Sequence, residues 1–99
     1  MPYIKTKDRL RIEYCAEDKN AIGLLSDAIK TEGDLNYVIT RLCHEFIKKI
    51  GKKYATLNTV IGVLECAKQE FYRRIVSPYE NLKIKENGDV EWINIKNIY

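Results

Sequence analysis

Two prolines and five glycines in 99 residues leave little material for long loops, and a single histidine leaves one candidate base for any nucleophile. No run approaches the roughly 18 apolar residues of a membrane span, and the opening Met1-Pro2-Tyr3-Ile4-Lys5 lacks a signal-peptide core. A cytoplasmic protein with no membrane partner is therefore expected. The three cysteines, Cys15, Cys43 and Cys66, are irregularly spaced and form no C-x-x-C pair, so neither a zinc knuckle nor a redox dithiol is suggested. No Walker-type phosphate loop, G-x-G-x-x-G run, H-E-x-x-H or EF-hand is present. Glu65 and Glu70 stand five residues apart, so they do not form the carboxylate pair one helical turn apart that helical nucleotide pyrophosphatases use to hold magnesium. Catalytic residues, metal ligands and cofactors are accordingly expected to be none.

What is there reads as one small globular domain. Apolar residues at 45% and charged residues at 31% argue against disorder. A chain this short buries only a modest core and commonly gains stability by self-association, which makes a homo-oligomer the expected state. The net charge of +3 is compatible with an anionic partner without demanding one.

Periodicity predicts a mainly α fold built on an antiparallel helical hairpin. It divides into a lead-in over 1–17, a helical core over 18–87 and a tail over 88–99. Leu10-Arg11-Ile12-Glu13-Tyr14 alternates apolar and charged, which is the period of a half-buried strand or an irregular lead-in. From Asp18 the pattern turns helical, with Ile22, Leu25 and Ile29 on one side and Gly33 as the stop. Asp34 reads as the cap of a second helix to Ile50, with Leu35, Val38, Ile39, Leu42, Phe46 and Ile50 as its buried stripe and Gly51 as its end. Thr56 reads as the cap of a third, carrying Leu57, Val60, Ile61, Leu64, Ala67, Phe71 and Ile75. Two long amphipathic helices on a short link pack antiparallel. Ser77-Pro78-Tyr79-Glu80 has the spacing of a capping box for a short fourth helix closed by Asn87-Gly88. The tail, with Trp92, Ile93, Ile95 and Ile98, reads either as a strand pairing with residues 9–14 or as an apolar arm for a neighbouring subunit.

The outward faces hold the candidate sites. Tyr37, Arg41, His44 and Lys48 recur at helical spacing as one ridge, where an aromatic ring and cationic donors are suited to stack on a base and pair with phosphate. A solvated helix face is the plain alternative, and His44 by itself reads as a surface histidine. Lys53, Tyr54 and Arg73 belong to further basic groups with tyrosines nearby; lysines at a helix end also simply offset its dipole. On the third helix Thr59, Gly62, Cys66 and Gln69 face away from the stripe. A glycine inside a helix costs about 1 kcal/mol against alanine, so Gly62 suggests close approach by another helix or a ligand.

Gly33-Asp34-Leu35-Asn36-Tyr37-Val38-Ile39-Thr40-Arg41-Leu42, the stretch from Asn58 to Arg74, Pro78-Tyr79-Glu80, Glu86-Asn87-Gly88-Asp89-Val90 and the opening Met1-Pro2-Tyr3-Ile4 form distinctive runs. Together they resemble a family of short proteins of unknown function carried by tailed phages and prophages. The resemblance implies a viral context, hence a host cytoplasm, and offers no activity or catalytic residues to carry over. Together with the outward faces it leads to the expectation of a non-catalytic, homo-oligomeric counter-defence protein that sequesters a small nucleotide signal. The alternatives are a protein inhibitor or adaptor acting on a host protein and, with less behind it at this modest charge, a helical nucleic-acid binder.

Overall fold

Residues 3–17 and 19–90 are described by the structure, a computed structural model. Helix follows helix along them: α1 (Thr6–Glu13), α2 (Ala21–Ala28), α3 (Glu32–Ile50), α4 (Tyr54–Phe71), a π-helical turn (Tyr72–Val76) and α5 (Ser77–Asn87). The fold is mainly α. The β-type pairing among the described residues is an isolated bridge between Ala16 and Lys19. The chain divides into two compact units, residues 1–65 and 66–99. Asp18 and the tail residues Trp92, Ile93, Ile95 and Ile98 lie outside the described residues.

In the first unit, α1 occupies the segment whose alternation predicts a strand. Alternation is rewarded only when a sheet covers one face, whereas α1 has no buried residue and is held by local polar contacts. Arg9 Nε donates to the Ile4 carbonyl at 2.8 Å, and Arg11 pairs with Asp8 one turn back at 3.6 Å. The lead-in is thus partly helical, and α1 packs against α2.

The boundary between α2 and α3 lies earlier than Gly33 implies. Helix α2 starts at Asn20, whose side chain accepts from the Gly23 amide at 2.9 Å, and ends at Ile29, which is extended. Thr31 then caps α3, and Gly33 and Asp34 lie inside its first turn. The Thr31 hydroxyl accepts from the Asp34 amide at 3.0 Å, while the Asp34 carboxylate accepts from the Lys30 and Thr31 amides at 3.0 and 3.2 Å. This capping box satisfies amides that would otherwise lack partners. The backbone bond from Lys30, then the contacts with Thr31, hold the Asp34 carboxyl below its usual range. A lowered folded-state pKa means that this contribution is complete above the ordinary aspartate range and lost as pH falls through the folded value. Thr31→Ala is expected to cost about 1 kcal/mol, read as a drop of about 4–8 °C in the melting midpoint by circular dichroism. Asp34→Asn should flatten the acid limb of the stability profile; an unchanged limb would remove the carboxylate from the cap.

A short turn joins α3 to α4, without the close side-by-side packing of an antiparallel hairpin that the sequence predicts. Gly51 ends α3 at φ +121°, its amide donating to the Ile47 carbonyl at 2.8 Å, and α4 begins at Tyr54, ahead of the expected cap Thr56. Thr56 is instead one of two buried residues among those described, with Val60 the other. Val60 walls an apolar cavity of about 240 Å³ with Leu42, Cys43, Phe46 and Val63. The expected buried stripes are otherwise largely open: Leu35, Ile39, Phe46, Ile50, Ile61 and Phe71 are all exposed, and Val38 is half-buried.

In the second unit the chain does not restart at Ser77. Val76 and Ser77 are both right-handed helical, and no side chain caps α5. A proline in a helix lacks one donor and pushes against the carbonyl four residues back. The π turn absorbs this, with Ser77 N–H donating to Tyr72 O, one residue further back than in an α-helix. Glu80, the expected partner in a Ser77 capping box, instead accepts from the Tyr72 hydroxyl, and this bond raises the Tyr72 pKa. Helix α5 closes at Gly88, φ +84°, as its Asn87-Gly88 pair implies.

Candidate functional site

On α3 the residues chosen from sequence come together through one that was not. Arg41 donates to the Tyr37 hydroxyl at 3.2 Å and to Glu45 Oε1 at 3.4 Å, with its guanidinium 6.0 Å from the centre of the Tyr37 ring. Lys48 sits 3.6 Å from the same Glu45 oxygen. The result is a ladder of Tyr37, Arg41, Glu45 and Lys48 along one face, at the spacing that lets helix side chains meet. Lys48, then the Arg41 hydrogen bond, hold the Glu45 carboxyl below its usual range, while Tyr37 and then Glu45 raise the Arg41 pKa. Glu45 was legible: it follows Arg41 by four residues and precedes Lys48 by three. His44 is exposed on the same helix.

Tyr37 and Arg41 line a groove of about 300 Å³ between α2 and α3, walled also by Leu25, Val38, Leu42 and Glu45. Its size is at the low end for small-molecule sites. Its apolar floor and single tyrosine–arginine pair suit a flat ring better than a highly charged ligand, because Glu45 already occupies the guanidinium.

The other candidates lie elsewhere. Lys53 and Tyr54 sit at the start of α4, and both are exposed. Arg73 belongs to the second unit, where it pairs with Glu70. Thr59, Gly62, Cys66 and Gln69 are all exposed on α4. The Thr59 hydroxyl bonds back to the Ala55 carbonyl at 2.9 Å, so its proton is turned to its own helix. A methyl group at Gly62 would meet nothing within 4 Å, so no contact among the described residues requires the glycine.

Cys15 and Cys66 are exposed and Cys43 half-buried, and all three are free thiols. No cluster of three or more histidine, cysteine or acidic residues among the described residues is placed to hold a metal ion. Among the same residues, no helix is long and apolar enough to cross a membrane.

Neither the curated proteins nor the solved structures contain a match to this chain. The model of a protein family described as a domain of unknown function (DUF6899) matches residues 1–90, and the chain belongs to that family.

Proposed function

We propose that this is a phage accessory protein that works by binding rather than catalysis, as a homo-oligomer whose α2–α3 groove takes a small nucleotide signal in the host cytoplasm. The observation that carries the ligand class is the pairing of the Tyr37 ring with the Arg41 guanidinium beside an apolar floor of Leu25, Val38 and Leu42. A base fits against the ring and floor, and phosphate takes Arg41 when it displaces Glu45. The viral context comes from the likeness of the Asn58–Arg74 run and its companions to the phage family.

Calorimetry against a panel of cyclic and linear nucleotides tests this reading. Arg41→Ala should weaken the bound nucleotide at least about tenfold, and Glu45→Gln should tighten it by about tenfold, because the competing carboxylate is gone. No binding anywhere on the panel, or tightening absent in Glu45→Gln, overturns it.

A second reading, an adaptor or inhibitor that docks on a host protein, is favoured by apolar side chains that a nucleotide in that groove would not cover. Ile22, Leu24, Leu57 and Ile61 are exposed by 41 to 66%. A single stoichiometric host protein in pull-downs, with no retained small molecule, would favour it.

A further inference from the structure

The outer face of α3 carries a seam that the described residues leave largely uncovered. Leu35, Ile39, Leu42 and Phe46 are exposed by 49, 42, 60 and 44%. The groove against α2 is walled by Val38, Arg41, Leu42 and Glu45, and Leu42 and Phe46 of the seam also wall the cavity against α4. Among the described residues, α4 thus touches the seam at Leu42 and Phe46, and all four side chains stay 42 to 60% exposed.

The spacing of the seam is that of a coiled coil. Glu32, Leu35, Ile39, Leu42, Phe46 and Lys49 recur at intervals of three, four, three, four and three, so they fill alternating a and d positions of the heptad. The two end positions are an acid and a base. Helix α3 as a whole repeats this polarity, with Glu32 and Asp34 in its first turn and Lys48 and Lys49 in its last.

We infer that α3 pairs antiparallel with α3 of a second copy about a twofold axis. Leu35 then faces Phe46, Ile39 faces Leu42 and Glu32 faces Lys49 of the other copy. Antiparallel helices set each a position against a d position, and this register does so at every step. Parallel pairing would set Glu32 on Glu32 and Lys49 on Lys49, and would align the helix dipoles unfavourably. A twofold interface uses the same patch on both copies, and this patch is complementary to itself in one direction only. The cavity walled by Leu42, Cys43, Phe46, Val60 and Val63 receives Ile39 and Leu35 of the second copy.

The inference rests on the homo-oligomer in the reading above and not on its nucleotide, so the calorimetric panel and the experiment here fail independently. Sedimentation equilibrium of the full chain should give a dimer or an even-numbered assembly of dimers. Ile39→Glu, which places a carboxylate in the centre of the seam on both copies, should raise the dissociation constant at least about 100-fold while the helical circular dichroism is kept. Glu32→Lys and Lys49→Glu should each weaken pairing, and the double variant should restore it, because the end pairs are then reversed rather than broken. A monomeric wild type at about 100 μM overturns the inference, where even a micromolar dimer would be populated. So does an assembly indifferent to Ile39→Glu, or a double variant no better than the single ones.

Discussion

Gly51→Ala is expected to destabilise the protein by about 2 kcal/mol and to lower its melting midpoint by about 8–16 °C. The residue stands at φ +121°, ψ 142°, a region that residues with a Cβ rarely enter. Crowding is not the cause, since an added Cβ would meet nothing within 4 Å. What changes is the backbone, which either carries the strain or turns over and gives up the bond from the Gly51 amide to the Ile47 carbonyl. The turn links α3 to α4 and sets where Val60 meets Leu42 and Phe46. Its loss is therefore felt by the one buried apolar residue described in the chain. Lys52→Ala, one residue on and exposed, should move the midpoint little. Equal melting of Gly51→Ala and wild type would mean that the turn relaxes without cost.

Which parts of the fold were readable follows from how local their causes are. Gly51 and Gly88 end helices at positive φ, a property of the residue itself, and both ends stood out in the sequence. The α2–α3 boundary was misplaced because three signals compete within four residues: Gly33 mimics a stop, Asp34 mimics a cap, and Thr31 is the cap. Read as a Thr-x-x-Asp box, the same letters put the start at Thr31. Ser77-Pro78 looks like a restart because proline usually forbids a continuing helix; the π turn that admits it depends on backbone geometry that no residue pattern announces. Leu10–Tyr14 alternates like a strand, yet alternation states a preference for a half-covered surface without supplying one.

The candidate site divides in the same way. Tyr37, Arg41 and Lys48 were found because helical spacing alone puts them on one face. Glu45 is neither a ring nor a cation, so an anion-binding pattern does not single it out, yet it is the residue that ties Arg41 to Lys48. Periodicity also identified Leu35, Ile39, Leu42 and Phe46 as one apolar stripe. It did not tell what covers that stripe. Covering by the same chain and covering by a second copy leave the same mark on a sequence; among the described residues these four side chains stay exposed.

A pair of adjacent substitutions on α4 should differ widely in stability. Val60 is 9% exposed and Ile61 66% exposed. Val60→Asp removes a buried apolar side chain and puts a carboxylate against the wall formed by Leu42, Cys43, Phe46 and Val63, with no cation among those lining residues. The loss of burial and the cost of the charge together come to about 3 kcal/mol or more, a large part of what holds a small domain folded. Ile61→Asp makes the same kind of change one residue, and about 100° of helix, further round. Isoleucine and aspartate differ little in helix propensity, so its expected effect on the single copy is within about 0.5 kcal/mol. Urea titrations followed by circular dichroism, run at several protein concentrations, separate the causes. A loss at Val60 that is the same at every concentration belongs to the single copy itself. A loss at Ile61 that grows with concentration would mean that a second copy covers this face of α4 as well. Equal, concentration-independent losses at both positions would mean that α4 is turned differently against α3 than Val60 and its cavity imply.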